Sequence, residues 1–327
     1  MSGVLLSVRD LRVHFPLARG LLGRSAGSVK AVDGVSLDLR AGETLGIVGE
    51  SGCGKSTLGR AILRLIKATS GNVVWLGRDL HGLDAAALRT ERRNMQIIFQ
   101  DPLASLDPRM TVGQIIARPL KTFEPGLGKA ETERRVTAAM QEVGLAPEML
   151  RRYPHEFSGG QCQRIGIARA MILRPKLVVC DEPVSALDVS IQAQIINLLR
   201  RLQKENDLAL LFISHNLSVV RHISHRVLVL YLGRVMEVAE RDAFYARPLH
   251  PYSQALISAI PVPDPKQERS RRRIVLQGDL PSPLDPPLGC RFCTRCPRAT
   301  ERCHREEPAL ADHGGGHLVA CHYAGEG

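Results

Sequence analysis

The chain has 327 residues, 44 Lys and Arg against 33 Asp and Glu, a formal net charge of +11, and 44% hydrophobic residues. That balance excludes a disordered polyelectrolyte and suits a large domain with an appendage. No apolar run approaches the ~18 residues of a spanning helix. The opening MSGVLLSVRD lacks the features of a secretory signal, so a cytosolic chain is expected.

Alternating apolar positions predict strands over 5–8 and 11–15, and again around Val35, Leu37 and Leu39. Between them, residues 16–28 (PLARGLLGRSAGS) read as an inserted loop. The apolar run 44–48 predicts a short buried strand, followed by a Gly-rich loop and a helix over 57–66 that closes at Thr69-Ser70-Gly71. Residues 111–175 read as a helical insert. Within it, 129–143 sets Val136, Ala139, Met140 and Val143 on one helical face, with Gly144 as the C-cap. Strands return at 177–180, 208–214 and 227–232, with a helix over 191–206. Strand–helix alternation of this kind implies a parallel sheet. Residues 261–287 are Pro-rich and basic and read as a strap.

Gly49-Glu50-Ser51-Gly52-Cys53-Gly54-Lys55-Ser56 fits G-x-x-x-x-G-K-[ST] after a predicted strand and at the start of a predicted helix, which continues into Thr57. The glycines let backbone N–H groups curl around phosphate, Lys55 suits the β- and γ-phosphates, and the Ser56 hydroxyl suits Mg²⁺. This segment makes the chain a nucleotide binder. The apolar strand 177–180 then ends in two carboxylates: Asp181 suits Mg²⁺ and Glu182 suits a general base for the attacking water. Ser158-Gly159-Gly160-Gln161 opens a second helix; it reads either as a plain N-cap or as a second phosphate-cradling helix start that completes another subunit's site.

With Gln100 in IIFQDP, Ser185-Ala186-Leu187-Asp188, and His215 in ISHN, this set resembles the ATP-binding cassette family over most of the chain. Phe157 stands where that family usually begins its signature with Leu. The resemblance implies an α/β fold: a P-loop NTPase (RecA-like) domain with a helical subdomain, 1–245 and about 101–175, and a cysteine-rich extension over 246–327. It also implies a head-to-tail dimer holding two ATP molecules between one subunit's P-loop and the other's signature. In that scheme Gln100 senses the γ-phosphate and Mg²⁺, His215 contacts the γ-phosphate, and Phe15 stacks on adenine.

The tail narrows the resemblance. His250-Pro251-Tyr252-Ser253, then Gly278-Asp279-Leu280-Pro281-Ser282-Pro283, resemble the C-terminal extension of oligopeptide/dipeptide importer ATPases, and nickel importers have related tails. This implies a peripheral subunit on the cytoplasmic membrane face, with a paralogous ATPase, two membrane permease subunits and a substrate-binding protein as partners. The alternative is a soluble ATPase acting on nucleic acid or ribosomes. Residues 266–305 hold ten Lys and Arg against four acids, without interleaved aromatics, so this stretch reads as a solvated positional tail.

Five of eight cysteines (Cys290, Cys293, Cys296, Cys303, Cys321) crowd that tail, which in a cytosolic chain favours metal over disulfides. Cys290-x₂-Cys293-x₂-Cys296-Pro297 is similar to a bacterial ferredoxin run. The family implies ligands at Cys290, Cys296, Cys303 and Cys321, holding a [4Fe–4S] cluster, with zinc as the alternative. Cys293 is then a nearby spare; the second choice of ligands swaps it for Cys321. A helical turn is expected at 297–302.

Overall fold

The computed structural model describes residues 3–17, 27–261, 264, 273–279 and 281–325. In chain order the strands are β1 (Val4–Pro16), β2 (Ser28–Arg40), β3 (Thr44–Val48), β4 (Ser70–Trp75), β5 (Arg78–Asp79), β6 (Met95–Ile98), β7 (Leu177–Asp181), β8 (Ala209–Ile213), β9 (Arg226–Tyr231), β10 (Arg234–Glu240), β11 (Ala311–Asp312) and β12 (Leu318–Val319). The helices are α1 (Lys55–Ile62), α2 (Ala85–Arg92), α3 (Val112–Phe123), α4 (Lys129–Glu142), α5 (Gly159–Met171), α6 (Val189–Glu205), α7 (Leu217–Ile223), α8 (Arg241–Ala246), α9 (Pro251–Ser258) and α10 (Glu301–Arg305). The chain divides into two compact units. The first is built on Leu39–Thr44 and Gly82–Ile213, the second on Leu5–Asp38, Leu45–His81 and the chain from Ser214 on.

In the first unit, β6, β7 and β8 run parallel, with Met95 opposite Leu177 and Leu177 opposite Ala209. Every residue of β7 and β8 is buried, the unbroken apolar pattern of strands covered on both faces. Residues 111–175 are mainly helical, as expected, through α3, α4 and α5. Val136, Ala139, Met140 and Val143 are all buried, and Gly144 ends α4 with φ +75, its N–H donating to the Gln141 carbonyl. Arg164 adds a second stop by donating to the Val143 carbonyl at 2.6 Å. Glu124, just past α3, binds Arg93 at 2.7 Å and Arg135 of α4 at 2.6 Å, joining the two helices.

In the second unit, one antiparallel sheet has the order β2-β1-β4-β5. A second group joins β3 to β9 in parallel, then β9 to β10, β10 to β12 and β12 to β11 antiparallel. The two strands expected before residue 16 are one. The alternation breaks at Asp10 because β1 bulges there, with φ +46 and a register shift against β4 between Arg9 and Arg12. β4 was not expected, since its opening Ser70-Gly71 reads as a turn. α1 begins two residues earlier than the periodicity implied and stops at Ile62, where Arg64 takes φ +54. Near the end, the helical turn expected at 297–302 lies at Glu301–Arg305 instead. Most of the inserted loop, residues 18–26, lies outside the described residues, as do Lys266, Arg269, Arg271 and Arg272 of the basic tail and Leu280.

Candidate functional site

β3 leads into the P-loop. Gly54 is the N-cap of α1 at φ +103, and a Cβ there would run into the Ala31 carbonyl oxygen, so glycine is required. α1 has no side-chain cap, the arrangement in which a helix start serves an anion. Lys55 is buried, and its ammonium donates to the carbonyl oxygens of Gly49 at 2.8 Å and Glu50 at 2.9 Å. The Cys53 sulfur stands 3.9 Å from the same ammonium; burial raises the Cys53 thiol above its ordinary value despite that charge. Ser51 and Gly52 are exposed, while Ser56 and Thr57 are half-buried.

Glu50 is held twice. Its N–H donates to the Tyr252 hydroxyl at 2.9 Å, and its carboxylate takes both arms of Arg295 at 2.6 and 3.2 Å. Phe15, at the end of β1, is 41% exposed. Its neighbour His14 binds the buried Asp33 at 3.0 Å. His215 is exposed, directly before Asn216, whose side chain caps α7 by accepting from Ser218 and Val219.

In the first unit, Asp181 is buried at the end of β7 and Glu182 follows it in the left-handed region at φ +47. The Glu182 N–H donates to the Ile213 carbonyl at 3.0 Å, and Gln100 donates to the Glu182 carboxylate at 3.3 Å. The structure thus brings Gln100 and Glu182 together. Ser158 caps α5 in a reciprocal box, accepting from the Gln161 N–H at 3.4 Å while its own N–H donates to Gln161 Oε1 at 3.0 Å. Ser158 and Gly159 are exposed, as are Ser185, Ala186 and Asp188.

Residues 32–185 match the ABC transporter family, and residues 236–303 match the oligopeptide/dipeptide transporter C-terminal region. The oligopeptide transport ATP-binding protein OppF of Salmonella typhimurium is 58% identical over 320 residues, 97% of this chain and 96% of that protein. The chain belongs to the ABC transporter ATPases. OppF of Escherichia coli is 58% identical over 94% of this chain and 92% of its own, and AppF of Bacillus subtilis is 54% identical over 97% of both. Among solved structures, the dimeric post-hydrolysis cassette MJ0796 bound to ADP and Pi matches with TM-score 0.64 at 27% identity, covering 72% of this chain and 98% of that one. CbiO1 of Clostridium perfringens matches with TM-score 0.64 at 26% identity, covering 74% and 91%. The α/β P-loop NTPase fold read from the sequence is therefore this protein's fold.

In this ABC transporter ATPase the tail cysteines all line one cavity of about 10 Å³, together with His250, Phe292 and Arg298. That is room for about one water. Burial pushes the Cys290 thiol up to about 12, and raises Cys293, Cys296 and Cys321 as well, with neighbouring sulfurs adding to the rise. Among the described residues, no three His, Cys, Asp or Glu side chains stand placed to hold a metal ion. The donor set itself, five thiols and no carboxylate, is of the soft kind that takes iron–sulfur or zinc. Cys293 lines the cavity alongside the four expected ligands, so position does not separate it from them. His250 caps α9, its Nδ1 accepting from the Tyr252 N–H at 3.0 Å, and burial lowers it to about 3, so the ring is neutral.

The basic tail differs from the solvated reading. Arg291 pairs with the buried Asp33 at 2.6 Å and is itself buried, while Arg295 is taken by Glu50. Burial works to raise Asp33, but Arg234, His14 and Arg291 outweigh it and hold the carboxyl below its usual range. Sequence reasoning missed Arg291, Arg295 and the roles of His250 and Tyr252. The available signal was the interleaving Cys290-Arg291-Phe292-Cys293-Thr294-Arg295-Cys296, in which thiols alternate with groups that dock elsewhere.

Proposed function

We propose that this protein is the ATP-hydrolysing subunit of an oligopeptide/dipeptide importer, peripheral on the cytoplasmic membrane face. It works two permease subunits supplied by a substrate-binding protein. The observation that carries this is the 58% identity to oligopeptide transport ATP-binding proteins over 97% of the chain, C-terminal region included. In this reading 1–245 is the ATPase domain with its helical subdomain at about 101–175, and 246–327 is the extension. Phe15 stacks on adenine, and residues 49–57 cradle the phosphates with Lys55 on the β- and γ-groups. Ser56, Gln100 and Asp181 serve Mg²⁺, Glu182 polarises water, and His215 holds the γ-phosphate. Ser158, Gly159, Gly160 and Gln161 serve the site of a paralogous partner ATPase; the exposure of Ser158 and Gly159 supports that role. Nothing in the likenesses favours the alternative of an ATPase acting on nucleic acid or ribosomes. In liposomes holding the whole importer, peptide-loaded binding protein should stimulate ATP hydrolysis and peptide uptake together. Stimulation by DNA or RNA with none by peptide would sink this reading.

We also propose that the cysteine cavity takes a [4Fe–4S] cluster through Cys290, Cys296, Cys303 and Cys321, with zinc as the alternative. The shared cavity of five sulfurs supports it. A bound cluster supplies thiolate–iron bonds that fix the tail and a one-electron couple. Anaerobically purified protein should be brown, with about four irons per chain. Colourless protein with one zinc would replace the cluster by a structural site. Cys293→Ser should keep its iron and Cys321→Ser should lose most of it; the reverse would select the other ligand set.

A further inference from the structure

The turn that carries Cys290, Cys293 and Cys296 is fastened to the nucleotide-binding half of its own unit at three points. Arg291 enters the Asp33 pair, Phe292 meets Tyr231 edge-on at 5.4 Å and Tyr252 at 5.3 Å, and Arg295 grips Glu50 with both arms. The third point lies in the P-loop itself. Glu50 is the residue after Gly49, in a loop whose ligand is a polyanion, and a carboxylate there repels phosphate unless it is neutralised. Arg295 neutralises it from a side chain that is 11% exposed, against 30% for Glu50. With so little exposure, removing one partner leaves the other's charge poorly compensated, which costs more than breaking a surface ion pair. The Tyr252 hydroxyl fixes the Glu50 N–H at the same time. Residues 202 and 245 positions away thus set the shape and the charge of the P-loop's first turn.

We propose that Arg295 is a positioning residue for nucleotide binding, and that it carries the state of the cysteine site to the P-loop. Arg295 lies between Cys293 and Cys296. Closure of those thiols on a metal adds a further hold on the turn and so on the guanidinium at Glu50; an empty thiol cluster leaves the turn to Arg291 and Phe292 and loosens that grip. The second half rests on the metal reading above, and the first does not.

The test uses the purified full chain and a fluorescent ATP analogue with Mg²⁺, read as dissociation constants. Arg295→Met should weaken binding about tenfold, as unpairing a partly buried carboxylate near a bound anion does. Arg295→Lys should recover part of the loss, keeping the charge but not the fork. The deciding variant is the double Arg295→Met with Glu50→Gln. If the unpaired carboxylate is the cause, the double variant binds within about threefold of wild type, reversing most of the single variant's ~1.4 kcal/mol loss. A role in folding alone predicts no such recovery. Stripping metal from the wild type should weaken binding like Arg295→Met, and stripping it from the double variant should change nothing. Wild-type affinity in Arg295→Met, or no recovery in the double variant, overturns the positioning role. Unchanged affinity in stripped wild type overturns the coupling. Absence of any metal in the purified chain defeats the cluster reading and the coupling together, and the three variants still decide the clamp.

Discussion

Glu182→Gln should abolish turnover while ATP stays bound. Glu182 holds φ +47, a conformation that costs a non-glycine residue about 1–3 kcal/mol and persists only where neighbours enforce it. Backbone bonds enforce it here: the N–H donates to the Ile213 carbonyl at 3.0 Å, and the carbonyl accepts from the Ser185 N–H at 3.3 Å and hydroxyl at 3.1 Å. The strained backbone presents the carboxylate to Gln100 at 3.3 Å. Glutamine matches glutamate in shape and keeps an oxygen for Gln100, so the loop stays as it is and only basicity is lost. Loss of a general base costs about 10²–10⁴-fold in rate. The P-loop contacts of Lys55 are not touched, so nucleotide binding survives. Phosphate release from the assembled importer, beside retention of labelled ATP through gel filtration, measures both halves. Near wild-type hydrolysis would remove Glu182 from the base role.

The parts legible in the sequence are those fixed over short stretches of chain. The P-loop could be read because a glycine such as Gly54 answers a local steric demand, and β7 because an apolar run ending in two acids leaves little choice of setting. The α4 face followed from periodicity alone. What escaped depends on partners far along the chain. Arg291 and Asp33 are 258 residues apart, and Arg295 and Glu50 are 245 apart. A charge count treats all four as independent surface groups, and so reads as a solvated basic tail what is in part a set of docked arginines. The cysteines show the same limit from another side. Their crowding was plain, but the cavity that all five share depends on β12 bringing Cys321 back beside β10, a contact no local pattern encodes.

That return depends on one buried carboxylate, and its removal should have the largest effect on stability. Glu237 lies in β10, opposite Val319 of β12, and is fully buried. Its Oε1 accepts from the Leu249 N–H at 2.9 Å and from His317 Nε2 at 2.6 Å; its Oε2 accepts from the His250 N–H at 2.9 Å. One side chain therefore joins β10, the start of α9 and the β11–β12 hairpin. Glu237→Leu fills similar space but leaves two buried backbone N–H groups without acceptors, each costing about 1–3 kcal/mol, with the loss of the His317 bond added. We expect about 3–5 kcal/mol of destabilisation, concentrated in the extension. Glu237→Gln keeps one oxygen acceptor but turns an amide NH₂ toward donors, so it should lose about 1–3 kcal/mol. Hydrogen exchange resolved by peptide should show the segments around Leu249 and His317 opening first, while β7 and β8 keep their protection. A Leu variant that melts with wild type and exchanges uniformly would mean that the C-terminal hairpin and α9 are held by their apolar contacts alone.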